Sequence, residues 1–324
     1  MARDSLKRPR VLVMMATYNG AHYLEEQIDS ILAQKDVDVT LLIGDDLSTD
    51  ETAAICHRYE ARDKRVRFKV NAERLGVGLN FMRMVYEASG DYDFYAFSDQ
   101  DDVWLENKLV VAVRTIEKSL ADGHIRSVEG FGYPALYCSD LCNVDADLSN
   151  PRKELQELSP DAELRATPLI RNYYSGCTMV FNRDFLNLAR RYRYDNLSRI
   201  HDAFSYCLAY YCGTAVVDSD NALILRRISG SNVEGEVTLN RDYKKASPSR
   251  VLEKSERKMT AFAKMLLDDF GDLMSDGDRR LIESFCSYGD SLSSRIQWAL
   301  SRDYQCLSWR DSLLKRSKFL FKRY

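Results

Sequence analysis

The sequence lacks the features that mark several common classes of protein. No apolar run approaches the roughly 18 to 20 residues of a membrane-spanning helix, and the N-terminus has no apolar signal segment. The eight cysteines include no CxxC pair, and only four histidines are present to complete a zinc site. We therefore expect a cytoplasmic protein whose cysteines are reduced and mostly packed.

Positive charge is not in excess either. The formal net charge is -3 and the sequence pI is about 5.9, so no overall basic field attracts nucleic acid, and no nucleic-acid partner is expected. An apolar fraction of 45% and a charged fraction of 29% exclude widespread disorder. The length of 324 residues fits one large α/β domain with an appendage, or two modest domains.

Short apolar runs alternate with helical patterns in the first hundred residues, which predicts a βαβ series and a largely parallel sheet. The predicted strands are Val11–Ala16, Val39–Gly44, Val66–Val70 and Phe94–Ser98. The predicted helices are Tyr23–Gln34, Thr49–Arg62 with Ser48 or Thr49 as its cap, and a third that follows Gly76-Val77-Gly78 and runs through Asn80 to Ala88.

The remainder of the chain changes character. Asp122–Pro134 is predicted as a loop, and Asp145–Pro168 is polar and is expected to cross the surface. From Leu252 to the end the pattern is almost entirely helical. It carries an apolar stripe formed by Phe262, Met265, Leu266, Phe270 and Leu273. We therefore predict an α/β domain over residues 1–235 and a helical appendage over residues 236–324.

The last ten residues, Lys315–Tyr324, mix lysine and arginine with Phe319, Leu320 and Phe321. Two interpretations stay open. The tail either rests on an anionic membrane surface, which would place the protein at the inner face of the cell membrane, or docks on its own domain.

Polar side chains follow each of the four predicted strands. In an open parallel sheet, ligands bind in the crevice beyond the carboxyl ends of the strands, so these positions are the first candidates for a site. They are Thr17-Tyr18-Asn19-Gly20, Asp45-Asp46-Leu47-Ser48, Asn71 with Glu73, and Asp99-Gln100-Asp101-Asp102. Four acidic or amide-bearing loops are thus expected to converge on one edge.

No glycine-rich phosphate loop of the GxGxxG or GxxxxGK[ST] type follows the first strand. Carboxylates repel a diphosphate, but they can hold a hard cation that bridges its oxygens, so the sequence predicts Mg²⁺ or Mn²⁺ on Asp99 and Asp101. An EF-hand fails because Trp104 stands where glycine is needed. The alternative for Asp102 is a cap on a helix beginning near Leu105.

The pair Asp45-Asp46 is ambiguous by itself, because two aspartates before a Ser-Thr-Asp helix start are often only caps. A buried carboxylate at a strand end can also accept a hydrogen bond from the N3–H of uracil or thymine. Tyr18 could then supply the stacking surface.

Three separated motifs occur in order, and together they resemble the family-two glycosyltransferases of the GT-A fold over roughly Arg10 to Gly235. The motifs are Ala16-Thr17-Tyr18-Asn19-Gly20, Ile43-Gly44-Asp45-Asp46-Leu47-Ser48-Thr49-Asp50 and Ser98-Asp99-Gln100-Asp101-Asp102-Val103-Trp104. The resemblance implies a mostly parallel central sheet flanked by helices, and an inverting, metal-dependent transfer from a nucleoside-diphosphate sugar.

Carried over by position, the resemblance implies that Thr17, Tyr18 and Asn19 contact the donor and that Asp46 contacts its base. Asp101 would ligate the metal, with Asp99 beside it on the ribose or the ion.

The resemblance also implies a catalytic base, which we assign to Asp202. This residue stands in His201-Asp202-Ala203-Phe204, downstream of Ser175-Gly176-Cys177-Thr178-Met179. Gly176, Cys177 and His201 are then expected on the acceptor side. From the residues alone, the favoured interpretation of His201-Asp202 is a helix cap with a nearby satisfied histidine.

Two departures from the family pattern stand out. Ser229 occupies the position where many relatives carry a histidine, although Arg226 or Arg227 could still pair with phosphate, and Ala16 replaces the usual proline. The run Asp-Gln-Asp-Asp-Val-Trp is most similar to rhamnosyltransferase-like members that build surface polysaccharide. That likeness implies a dTDP- or UDP-sugar donor and a glycan or lipid-linked acceptor.

The same residues favour three alternative functions less strongly. The missing histidine leaves open a non-catalytic sugar-nucleotide-binding module. A nucleotidyltransferase would need a Gly- and Lys/Arg-rich loop where the chain reads Gly20-Ala21-His22. A glycosidase would need its carboxylates to flank a cleft instead of clustering.

Overall fold

The apolar runs of the first hundred residues form one half of a mixed sheet. The computed structural model describes residues 8–154, 165–170, 172, 174–192, 201–228, 248–303 and 309–321. In chain order the first elements are β1 (Arg10–Thr17), α1 (Leu24–Leu32), β2 (Asp38–Asp45), α2 (Thr52–Arg62), β3 (Val66–Val70), α3 (Val77–Glu87), β4 (Phe94–Ser98), β5 (Val103–Trp104) and α4 (Lys108–Ala121).

The second half adds further strands and then helices only. Its elements are β6 (Ala135–Val144), β7 (Arg152–Lys153), α5 (Thr167–Ile170), β8 (Val180–Asn182), α6 (Arg183–Ala189), α7 (His201–Cys212), β9 (Thr214–Arg227), α8 (Pro248–Phe270), α9 (Asp276–Cys286), α10 (Leu292–Leu300) and α11 (Trp309–Leu320).

The strand order of the sheet is β3-β2-β1-β4-β8-β6-β9-β5, with β7 paired to β6. Strands β1 to β4 are parallel, and β8 joins β4 in the antiparallel direction. Thr17 is in register with Asp45, and Met15 is in register with Ser98. The polar turns after β1, β2 and β4 therefore lie side by side, and the predicted fold class is confirmed.

Both faces of β1 are covered, which explains its unbroken apolar sequence. Val11 and Val13 pack in one cluster with Ile28 of α1, whereas Leu12 packs in the opposite cluster with Phe81 of α3. Helices on the two sides thus fix the strand and the turn that follows it.

The predicted cap of α2 is wrong. The helix begins at Thr52, and no side chain caps it at Glu51. The hydroxyl of Ser48 instead donates to Asp45, and the backbone N–H of Thr52 donates to Asp50 Oδ1 at 3.0 Å. Ser48 is therefore used to shape the turn after β2.

The surface path predicted for Asp145–Pro168 is wrong at its end. Ala166 and Thr167 are buried, and Leu169 just beyond joins the large core cluster. Residues 155–164 of this stretch lie outside the described residues. The loop predicted at Asp122–Pro134 is confirmed, with one β-bridge between Val128 and Gly132.

The helical C-terminal region packs on the same core. Phe262, Leu266 and Phe270 of α8 are fully buried in the cluster that contains Phe97 and Phe204. Met265 and Leu273 pack against that cluster while remaining partly exposed. In the part of the chain that is described, no helix is long and apolar enough to cross a membrane.

Candidate active site

The acidic turn Asp99–Asp102 leaves β4 and enters β5, which pairs with β9 through Val103 and Leu225. Asp99 and Asp101 are half-buried, whereas only 1% of Asp102 is exposed. The prediction that Asp102 caps a helix near Leu105 is wrong, because α4 begins later, at Lys108.

Asp102 is held in an environment that disfavours its charge. Burial raises its pKa well above the usual range, and the neighbouring carboxylates of Asp99 and Asp101 raise it further. The Cys177 sulfur lies within 4.8 Å of a carboxylate oxygen of Asp102. Its Oδ2 atom has no hydrogen-bond partner among the described residues. Such a buried orphan oxygen is available to a cation.

The residues brought together are not quite the predicted pair. Ligand atoms of Asp99, Asp102 and Cys177 lie within 4.8 Å of one another, and Asp101 is not part of that group. Burial raises the pKa of Asp101, and the nearby guanidinium groups of Arg227 and Arg226 oppose that rise. Burial also raises the pKa of Cys177 well above its usual range. Hard divalent cations prefer oxygen to sulfur, so the carboxylate oxygens are the better ligands.

Lys108 is a feature of this site that sequence reasoning missed. The side chain is buried, and its ammonium lies 3.4 Å from the centre of the Trp104 ring. Burial lowers the pKa of Lys108 to about 7, although Cys177 and Asp102 oppose that fall. The sequence carries no signal for it, since a lysine at a helix start is usually solvated.

The turn after β1 is fastened to the acidic turn. The backbone N–H of Tyr18 donates to Gln100 Oε1 at 2.9 Å, and Gln100 Nε2 donates to Tyr18 O at 3.1 Å. A Cβ atom on Gly20 would lie 2.2 Å from that same Gln100 oxygen. Gly20 is therefore required by the close approach of the two turns.

The same turn is also fastened to the turn after β2. Thr17 Oγ1 donates to Asp45 Oδ1 at 2.9 Å, and the backbone N–H of Asn19 donates to Ser48 Oγ at 2.9 Å. Asn19 has a positive φ of 49°, which asparagine tolerates better than most residues. Thr17, Tyr18 and Asn19 thus stand together with both acidic segments, as the sequence predicts.

Asp46 organises the loop after β3. Its Oδ1 accepts from the backbone N–H of Leu75 at 2.7 Å, and its Oδ2 accepts from that of Gly76 at 2.8 Å. The loop thereby holds the guanidinium of Arg74 at 3.9 Å from the centre of the Tyr18 ring. Sequence reasoning missed Arg74, although a cation directly after Glu73, in the polar segment that follows the third predicted strand, was a usable signal.

The predicted acceptor-side residues do meet. A Cβ atom on Gly176 would lie 2.5 Å from His201 Nε2 and 3.4 Å from Asp202 Cβ. The next residue, Cys177, is the one that reaches Asp102. The acidic turn and Asp202 therefore border the same short segment, Gly176–Cys177.

Asp202 lies in the first turn of α7, is 9% exposed, and accepts a hydrogen bond from the backbone N–H of Ala203. His201 is buried between Phe81, at 4.0 Å between ring centroids, and Phe97, at 4.9 Å. Neither nitrogen of His201 has a hydrogen-bond partner among the described residues. Burial lowers its pKa to about 3, so the ring is neutral at physiological pH.

Arg227 lies beneath the acidic turn. It is 1% exposed, and it donates to the backbone oxygen of Asp101 at 2.9 Å and to that of Ala146 at 3.2 Å. It also pairs with Glu26 and stacks 4.5 Å from the centre of the Tyr23 ring. The structure thus places Arg227 as a brace of the turn.

The neighbouring Arg226 is engaged as well. It donates to Asn143 Oδ1 at 2.9 Å and to Ser175 Oγ at 2.8 Å, and it pairs with Glu154 at 2.7 Å. Ser229, where the family pattern has a histidine, lies outside the described residues.

Comparison with known proteins agrees with this geometry. The model of the family described as glycosyl transferase family 2 matches residues 12–189, more than half of the chain. The dTDP-rhamnosyl transferase RfbG of Shigella flexneri is 29% identical over 265 residues, which cover 79% of this chain and 85% of RfbG.

Shorter and structural likenesses point the same way. The UDP-Glc:alpha-D-GlcNAc-diphosphoundecaprenol beta-1,3-glucosyltransferase WfgD of Escherichia coli is 32% identical over 109 residues, which cover 34% of this chain and 42% of WfgD. The crystal structure of S. aureus TarS 1-349 in complex with UDP-GlcNAc has a TM-score of 0.59 at 18% identity and covers 97% of this chain and 82% of that one, which shows the shared fold. The chain therefore belongs to glycosyl transferase family 2.

Proposed function

We propose that this enzyme transfers rhamnose, with inversion, from a dTDP-sugar to a hydroxyl of a glycan or lipid-linked glycan in surface polysaccharide synthesis. The observation that carries the proposal is that Asp202 and the acidic turn border one segment, Gly176–Cys177. A base and a cation site are thereby brought to the same part of the crevice. The name of RfbG supports the dTDP-rhamnose donor, and that of WfgD supports a lipid-linked acceptor and leaves a UDP-sugar as the other donor.

The base of the donor is proposed to bind between Tyr18 and Arg74. A planar pyrimidine can stack on the aromatic ring, and the guanidinium can cover its other face if it moves off Tyr18. Asp46 already accepts hydrogen bonds from Leu75, Gly76 and Asn71. We infer that it contacts the base through a remaining lone pair while it positions Arg74.

The diphosphate is proposed to bind through Mg²⁺ or Mn²⁺ on the acidic turn. The fit rests on Asp102 Oδ2, a buried carboxylate oxygen with no partner among the described residues, and on a carboxylate oxygen of Asp99 within 4.8 Å of one of Asp102. Hard divalent cations prefer such oxygens. Asp101 is proposed as a third ligand. The cation would neutralise the charge that develops on the departing nucleoside diphosphate.

The chain itself supplies a general base and a binding site for the acceptor glycan. The acceptor hydroxyl oxygen forms a bond to the anomeric carbon while the bond from that carbon to the phosphate oxygen breaks. The proton of the hydroxyl passes to the Asp202 carboxylate. His201 is neutral and stacked, so we assign it to shaping the floor under Gly176 and not to proton transfer.

The domain bounds and the location of the chain are also proposals. We place the transferase domain at residues 1–235 and the helical appendage at residues 236–324. The reaction would take place on the cytoplasmic side, with the chain peripheral at the inner face of the cell membrane.

The test is turnover by the purified chain. With dTDP-rhamnose, Mn²⁺ and a lipid-linked glycan, wild type should release dTDP and extend the acceptor. Asp202→Asn should lower the turnover number by at least about a thousandfold and leave donor affinity within about twofold. Asp276→Asn is the matched control, because Asp276 is an exposed aspartate in the first turn of another helix.

Equal turnover by wild type and Asp202→Asn would remove Asp202 from the role of base. Tight binding of the donor without turnover on any lipid-linked acceptor would instead favour a non-catalytic sugar-nucleotide-binding module.

A further inference from the structure

The C-terminal helices α10 and α11 pack side by side in opposite directions. A guanidinium nitrogen of Arg295 near the middle of α10 donates to Leu320 O at the end of α11, at 3.2 Å. Arg316 of α11 donates to Ala299 O and Ser301 O at the end of α10, both at 2.8 Å. The two contacts set the helices antiparallel.

One face of this helix pair is turned to the rest of the protein. Trp298 of α10 and Phe319 of α11 are buried, with their rings stacked 5.4 Å apart. Both also pack on Phe285 of α9, at 5.2 and 6.1 Å between ring centroids. These aromatic contacts define the inner side of the pair.

The opposite side is apolar and exposed. Leu292, Ile296 and Leu300 recur every four residues on α10 and are 60%, 42% and 73% exposed. On and just after α11, Leu313, Leu320 and Phe321 are 63%, 40% and 69% exposed. We call these six residues the outer face. A contiguous group of exposed large apolar side chains marks an interaction surface, whereas single ones do not.

The two helices and the residues beside them carry an excess of positive charge in the sequence. Trp309–Tyr324 contains six lysines and arginines and one aspartate, and Leu292–Asp303 contains two arginines and one aspartate, in a chain of net charge -3. Two copies of this face would bring like charges together. An anionic lipid surface supplies the opposite charge and an apolar layer for the leucines.

We propose that the outer face of α10 and α11 is a membrane-docking surface that lies in the plane of an anionic lipid headgroup layer. This inference deepens the proposed function, since a lipid-linked acceptor would be presented at the same surface. It differs from the tail interpretation made from the sequence, because half of the apolar contact comes from α10, upstream of the tail.

The test is flotation of the full chain with vesicles of phosphatidylcholine containing one third phosphatidylglycerol, compared with phosphatidylcholine alone. Wild type should float with the anionic vesicles and bind the neutral ones at least about tenfold less. The variant L292S/I296S/L300S should bind anionic vesicles more than about tenfold less than wild type. Because these side chains are exposed, the fold should survive, which circular dichroism checks.

The matched control is Y86S/Y133S/V217S, which removes three exposed apolar side chains elsewhere on the described surface and should float like wild type. Asp202→Asn should also float like wild type, so failure of the proposed catalysis and failure of docking are separable.

Two outcomes would overturn the inference. The first is equal flotation of wild type and the α10 variant, or no flotation of either. The second is a dimer in light scattering that the α10 variant dissociates, which would assign the outer face to a second copy of the chain.

Discussion

Replacement of Arg227 by methionine distinguishes a brace of the acidic turn from a phosphate ligand. Methionine keeps much of the buried volume of the arginine stem but loses the guanidinium. The hydrogen bond to the half-buried backbone of Asp101 should contribute about 1.5 to 3 kcal/mol, because its donor is charged. Stacking on Tyr23 adds about 1 kcal/mol. The ion pair with Glu26 adds at most about 1 kcal/mol, since the Glu26 side chain is 53% exposed.

We therefore expect Arg227→Met to lower the free energy of unfolding by about 2.5 to 5 kcal/mol. The control Glu26→Gln should lower it by less than about 1 kcal/mol. Urea denaturation followed by tryptophan fluorescence measures both. If Arg227→Met unfolds at the wild-type urea midpoint and raises only the dissociation constant of the donor, the side chain is a phosphate ligand and the brace is refuted.

Contacts of Gly20, Arg74 and His201 give three further predictions. Gly20→Ala should displace Gln100 from its two hydrogen bonds with the backbone of Tyr18. We therefore expect it to lower the free energy of unfolding by about 1 to 3 kcal/mol and to raise the KM for the donor. An unchanged urea midpoint and an unchanged KM would contradict this. Arg74→Ala should raise the KM for the donor with little change in thermal stability, and an unchanged KM in steady-state kinetics would remove Arg74 from the base site. His201 has a pKa of about 3 when folded and 6.5 when unfolded, so only the unfolded chain binds its proton between these values and stability falls as the pH drops below about 6.5. Wild type should lose about 2 kcal/mol more free energy of unfolding between pH 7 and pH 5 than His201→Phe does, as measured by denaturation curves. An equal loss in wild type and His201→Phe would contradict a neutral His201 ring.

Strand β1 was predictable because helices cover both of its faces. An unbroken apolar run such as Val11–Ala16 has no polar face to turn toward solvent, so it indicates a strand that is buried on both sides. This pattern alone locates β1 to within one residue at either end. The position of the candidate site at the carboxyl ends of the strands was predictable because β1 to β4 are parallel. The later strands β6, β8 and β9 were not predicted, since their mixed pairing depends on contacts between distant segments.

The candidate site was predictable only in part. Residue types and spacing located the acidic turn and the segment around Asp202. They could not reveal that Lys108 and Arg227 are buried, because a charged side chain in a sequence is normally expected at the surface. Residue types and spacing also wrongly indicated Ser48 as a helix cap, because its hydroxyl donates a hydrogen bond to Asp45 instead. Burial of a charge depends on tertiary packing, which local patterns do not encode.

We propose that a divalent cation on the acidic turn holds the donor diphosphate. Calorimetric titration of dTDP-rhamnose into the chain, with Mn²⁺ and again with excess chelator, tests this for wild type and Asp101→Asn. Chelation should weaken donor binding of wild type by at least about tenfold, whereas Asp101→Asn should bind the donor more weakly in Mn²⁺ and respond less to chelation. A wild-type dissociation constant that is the same with Mn²⁺ and with chelator would contradict it.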